Sequence, residues 1–221
     1  MSSKIKIPKI NARDFATILG LNPYQTAFEL LENKIENKHC FYGNKFTEHG
    51  NKFEKEAIKL FEKKTGYSVD TDMINIKHCK YDWISGRLDG IIKQEYELKR
   101  GKRKREEKKY VVEIKCPLKN DREEELTLEN VPKHYWSQCQ VYMQMIQSDY
   151  TFYIEYYFPD KLYYVKIERD DKWWKENIKK VEKFYKEVKN YKEKGSLEEH
   201  PVRKTEKKWI KKILHINKNE E

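Results

Sequence analysis

Val112-Glu113-Ile114-Lys115-Cys116-Pro117 is the stretch on which the reading of this chain turns. It is the end of an apolar run, Tyr110–Cys116, interrupted by one acid and one base and stopped by Pro117. Residues two apart on a β-strand point to the same face. Glu113 and Lys115 are therefore expected to project together, with Val112, Ile114 and Cys116 turned into the core. An acid and a base at the inner end of a buried strand are costly to desolvate unless they pair or hold a metal. The plainer alternative with the same spacing is a surface ion pair on a half-exposed strand.

Working outward, Leu88–Lys93 lies upstream and is expected to pair with Tyr110–Cys116 as a hairpin. That pairing brings Asp89 to the same cluster. Two carboxylates and a backbone carbonyl make a hard-oxygen site suited to Mg²⁺ or Mn²⁺. Lys115 beside them can hold an attacking water or a phosphate, which is equipment for metal-assisted phosphodiester hydrolysis. The hairpin tip is the charged insert 94–109, and from Lys93 to Lys109 there are nine basic and four acidic residues. It reads as a solvated loop, with a basic finger on DNA as the alternative.

Flanking segments complete the outline. Helices are expected over Ala12–Leu19, from Thr26 to Lys34, over Phe46–Thr65, over Val131–Ser148 and over Asp171–Lys194, each supported by apolar spacing or by a glycine stop. Further strands are expected over Val69–His78, Trp83–Arg87, Tyr150–Phe158 and Leu162–Glu168. The order predicts an α/β fold with a mixed central β-sheet flanked by helices. Residues 1–200 are read as one domain and 201–221 as a basic tail.

Composition narrows the function classes. Of 221 residues, 47 are Lys or Arg and 37 Asp or Glu, a net charge of +10, which favours an anionic partner, nucleic acid first. Aromatics at 14% argue against disorder. No run approaches the length of a membrane span, and no secretory signal is read at the N-terminus. Cys40, Cys79, Cys116 and Cys139 are scattered and suggest reduced thiols inside a cell rather than a zinc knuckle or an iron–sulfur cluster.

The spacing Asp89 to Glu113-x-Lys115, preceded by a helical glutamate, resembles the PD-(D/E)XK nuclease signature, and the ordered motifs resemble the lambda exonuclease or YqaJ-type viral recombinase family. His49-Gly50-Asn51-Lys52-Phe53-Glu54-Lys55-Glu56-Ala57 with Thr65-Gly66 is similar to that family's acidic helix. Ser85-Gly86-Arg87-Leu88-Asp89-Gly90 is similar to its aspartate turn, and the 112–117 stretch to its E-[IL]-K-C-P strand. Ser137-Gln138-Cys139-Gln140-Val141-Tyr142 resembles its glutamine helix, and Asn11–Phe15 with Gly20–Tyr24 its opening segment. Two departures stand out: Leu88 replaces the proline before the aspartate, and Arg13 replaces an opening serine.

The resemblance implies a restriction-endonuclease-like (PD-(D/E)XK) core and a set of roles. Asp89, Glu113 and the Ile114 carbonyl would bind divalent metal, two Mg²⁺ or Mn²⁺ ions, with Glu54 a direct or water-mediated ligand. Lys115 would position or activate water. Gln138 or Gln140 would face the substrate, with Arg13 and Lys6 as phosphate contacts. Asp82 and His49 are weaker candidates for the metal. The implied activity is 5′→3′ digestion of double-stranded DNA ends, leaving single-stranded tails for viral or phage-type recombination and repair. The implied partners are DNA and a single-strand annealing protein, and a trimer occurs among such enzymes. The implied setting is a viral or phage protein acting inside the host cell. An endonuclease on the same core and a non-catalytic DNA-binding module are the competing readings.

Overall fold

The computed structural model describes residues 5–36, 44–72, 75–97, 105–119, 122 and 124–205. Its strands form two sheets joined by the bend at Leu88 and Asp89. The smaller contains β1 (Ile10–Asn11), β3 (Ile84–Arg87) and β2 (Asn75–Lys77), in the order β1-β3-β2. The larger has the order β4-β5-β6-β7, with β4 (Gly90–Glu97), β5 (Arg105–Lys115), β6 (Tyr150–Tyr157) and β7 (Lys161–Glu168). Its β5–β6 pair is parallel and the other two are antiparallel, so the sheet is mixed.

Burial explains the order. β6 is buried along nearly its whole length, whereas β7 alternates between buried and exposed positions as an edge strand does. α3 (Lys45–Thr65) covers one face of the larger sheet, where Phe53, Ala57, Ile58 and Phe61 meet Val112, Ile114, Phe152 and Ile154. α4 (Lys133–Ile146) covers the other face, and α1 (Asp14–Ile18), α2 (Ala27–Glu36) and α5 (Asp171–Lys194) complete that core. α3 starts where the Asn44 side chain accepts from two backbone N–H groups, and it stops at Gly66, whose φ of 74° suits a residue without a Cβ.

The structure differs from the sequence expectations in three places. Among the described residues of 69–78 only Asn75–Lys77 is a strand, and Asp70 makes an isolated bridge to Ile91. Leu88 and Asp89 precede β4 instead of lying in it. The 94–109 insert is not a loop from its start: Gln94 pairs with Lys108 and Glu97 with Arg105, so backbone ladder bonding continues into the charged stretch. Its tip, the region after Pro201 from 206 onward, and Cys40 lie outside the described residues.

Candidate active site

β5 carries the site because it is flanked on both sides within the larger sheet and packed on both faces. Val112 and Ile114 join the core under α3, and Val111 joins the core under α4. Strand alternation then turns Glu113 and Lys115 toward α4. Glu113 is only 1% exposed. Its Oε1 accepts from Gln138 Nε2 of α4 at 2.8 Å and pairs with the Lys115 ammonium. Its Oε2 is buried and has no hydrogen-bond partner among the described residues.

Asp89 arrives from the bend between the sheets, and its Oδ2 accepts the Ile114 backbone N–H at 2.8 Å. One hydrogen bond thus locks the aspartate to the strand residue between Glu113 and Lys115. A second tie runs through Tyr142, whose hydroxyl donates to the Arg87 carbonyl at 2.5 Å and accepts from Gln138 Nε2 at 3.0 Å. Arg87, Tyr142, Gln138, Glu113, Ile114 and Asp89 therefore form a closed circuit of covalent and hydrogen-bonded links. Gly86 is required beside it: a Cβ there would lie 2.6 Å from the Tyr142 ring, inside van der Waals contact.

The electrostatics agree with this crowding. Burial, then the Asp89 charge, pushes the Glu113 carboxyl up to about 8 against the pull of Lys115. Glu54 reaches the same field from α3, and its carboxyl is raised by burial and by Asp89. Burial lowers the affinity of Lys115 for its proton, but Glu113 and Asp89 outweigh it and keep the ammonium charged. Burial raises the thiols of Cys116 and Cys139, so neither is poised as a thiolate.

A divalent ion fits this donor set. Glu113 Oε2 is an oxygen without a partner among the described residues, and three mutually repelling carboxylates lie in one field that a cation would relieve. Among the described residues, no three His, Cys, Asp or Glu side chains already stand in a ligating arrangement. Lys115 and Gln138 hold Glu113 through Oε1, and Ile114 holds Asp89.

The other sequence candidates make different contacts among the described residues. Gln140 points away: it donates to the Glu168 carbonyl at 2.8 Å and accepts the Asp170 N–H at 2.7 Å, which ties α4 to the β7–α5 junction. Arg13 and Lys6 are exposed near the N-terminal end, and no contact among the described residues ties either to Glu113. Asp82 is exposed and acts on Tyr185 of α5. His49 packs its ring on Phe53 at 4.6 Å. Sequence reasoning missed Tyr142, Gly86 and Tyr135, over whose ring the Lys115 ammonium sits at 4.8 Å. The signal was the i, i+4 spacing of Gln138 and Tyr142, which places both on one helix face.

Residues 4–150, more than half of the chain, match the YqaJ-like viral recombinase domain. The chain belongs to this family. No curated protein matches it. Among solved structures, the fold is similar to an alkaline exonuclease (LHK-Exo) from Laribacter hongkongensis at TM-score 0.68 and 20% identity, over 85% of this chain and 91% of that one. The same enzyme in complex with dAMP gives 0.66 and 19%, over 89% and 95%. A phage related exonuclease from Haemophilus somnus 129PT gives 0.59 and 19%, over 86% and 95%. A YqaJ-like domain on an α/β exonuclease fold supports a nuclease.

Proposed function

We propose that this chain is a divalent-metal-dependent deoxyribonuclease that digests double-stranded DNA from its ends, 5′→3′, and leaves single-stranded tails. The observation that carries the reading is the buried Glu113 Oε2, which has no hydrogen-bond partner among the described residues, on a carboxyl that feels the charges of both Asp89 and Lys115. Asp89, Glu113, the Ile114 carbonyl and Glu54 would hold Mg²⁺ or Mn²⁺. When bound, the metal would lower the pKa of water and offset charge on the leaving oxygen.

The chain's own residues do the rest. Lys115, kept protonated, donates to a water or phosphate oxygen and stabilises negative charge as it builds. Gln138 holds Glu113 by Oε1 and leaves Oε2 to a ligand. The Asp89–Ile114 bond fixes the distance between the two carboxylates before substrate arrives, which removes a reorganisation cost from the reaction. The +10 charge favours phosphate binding that weakens with salt. A relative of this fold has been crystallised with dAMP, a deoxynucleoside monophosphate of the kind such digestion releases. Tails made this way suit an annealing protein and recombination of viral or phage DNA inside a host cell.

The test uses linear duplex, linear duplex blocked at either end, and covalently closed circles, with Mg²⁺, Mn²⁺ or chelator. Mononucleotides should be released from linear DNA only with metal, and a blocked 5′ end should stop them. Nicking of closed circles overturns end-dependence, digestion past a blocked 5′ end overturns polarity, and intact DNA under every metal overturns the nuclease.

A further inference from the structure

Tyr24 is 83% exposed, yet the chain on both sides of it is pinned. Its N–H donates to Asn22 Oδ1 at 3.0 Å, and Asn22 Nδ2 donates to Thr17 Oγ1 at 2.8 Å, anchoring the turn to a buried residue of α1. Two residues on, Thr26 and Glu29 exchange hydrogen bonds of 2.7 and 3.2 Å as a capping box for α2. A rigid backbone thus presents an aromatic ring to solvent.

That ring is the outer end of a file of rings leading to the site. Tyr24 meets His134 edge-on, with centroids 5.8 Å apart and planes at 85°. His134 leans on Tyr135 at 4.0 Å, and the Lys115 ammonium sits 4.8 Å above Tyr135. The inner end therefore carries a phosphate-seeking cation beside Glu113, and the outer end carries a flat, uncharged face. A nucleotide strand has the same two chemistries along it: an anionic backbone and bases with π-faces. Base–aromatic stacking is tolerant of sequence and insensitive to salt, whereas phosphate contacts are salt-dependent. Polar handles at the ring edges let Tyr and His sit at such a wet boundary.

We infer that Tyr24, backed by His134, is a stacking platform for a nucleobase of the strand whose phosphate lies at Lys115. The inference rests on the nuclease reading and names the base contact that the reading lacks. The platform takes any base, so it sets the register of the strand without selecting sequence.

The experiment uses the full chain, chelator to prevent hydrolysis, and a duplex with 2-aminopurine at an unpaired 5′ end. Wild type and Tyr24→Phe should quench the probe by stacking. Tyr24→Ala, at an exposed position and checked by circular dichroism, should leave it bright and raise Kd about tenfold at both low and high salt. Equal quenching and equal Kd for wild type and Tyr24→Ala overturn the platform while leaving the nuclease intact. A Tyr24→Phe variant as impaired as Tyr24→Ala also overturns it, since a stacking face survives that change. A wild-type protein that binds the duplex without quenching the probe overturns the platform, and one that leaves DNA intact with both Mg²⁺ and Mn²⁺ overturns the nuclease reading on which it rests.

Discussion

Two buried glutamates stand on neighbouring strands of the larger sheet, and only one of them is left unfinished. Glu155 on β6 lies opposite Lys115 in register, and Glu113 on β5 lies opposite Tyr153. Arg122 pairs with Glu155 Oε2 at 2.6 Å, Tyr157 donates to the same oxygen at 2.8 Å, and Tyr153 donates to Oε1 at 3.0 Å. Both oxygens of Glu155 have partners, and the ion pair ties Arg122, beyond the end of β5, to the sheet. Among the described residues Glu113 has its two partners on Oε1 and none on Oε2. A buried carboxylate that is fully satisfied serves the fold; one that keeps an oxygen free at the cost of desolvation has that oxygen available for a ligand.

The largest effect is expected at Glu113. Glu113→Gln should cut DNA hydrolysis by roughly 10³-fold or more, read from single-turnover cleavage. It should also stabilise the metal-free protein at alkaline pH. The folded carboxyl is raised from 4.5 to about 8, so the stability it contributes is full below 4.5 and lost as pH rises through about 8. Wild-type Tm without metal should therefore fall over that range relative to Glu113→Gln. Added Mn²⁺ should raise Tm of wild type and leave the variant unmoved.

Arg122→Ala probes the other side of the comparison. It strands a buried carboxylate and should cost about 3 kcal/mol in urea unfolding, with metal-induced stabilisation retained. If instead it abolished the response to metal with stability unchanged, the division between the two glutamates would fail. Tyr142→Phe is milder. Losing the hydroxyl that links Gln138 to Arg87 should reduce kcat about tenfold with KM unchanged, at a stability cost of about 1 kcal/mol.

The smallest effect sharpens what an unpaired atom means. His78 Nε2 is also buried with no hydrogen-bond partner among the described residues, but its ring is stacked on Trp174 at 5.4 Å, and the charge that acts on it is Lys80, not a carboxylate. Burial, then Lys80, lowers its pKa below 6.5, so the stability it contributes is present above 6.5 and lost as pH falls. His78→Phe should flatten the decline of Tm on acidification and leave cleavage at neutral pH unchanged. A loss of cleavage would show that an unpaired buried atom by itself marks the site.

The legible parts of the chain were those with local causes. The α5 boundaries Asp171–Lys194 follow from apolar spacing and a terminal glycine, and the facing of Glu113 and Lys115 follows from strand alternation. Choosing between Gln138 and Gln140 was not local. Two residues apart on a helix they diverge, and only the sheet beneath α4 decides which of them meets Glu113 and which meets the β7–α5 junction. The strand pairing of 94–97 with 105–108 was equally hidden, because charged side chains disguise a backbone ladder that does not depend on them.

From its sequence alone, this protein had its carboxylate–lysine strand, its helices and its family determined, since alternation, capping and motif order are properties of neighbouring residues. Only the tertiary structure decided that Asp89 is locked to Ile114, that Tyr142 closes the circuit over Gly86, and that Glu113, unlike Glu155, keeps an oxygen without a partner among the described residues. Those outcomes depend on which groups compete for the same lone pairs once distant segments are packed together, and that competition exists only in the folded chain.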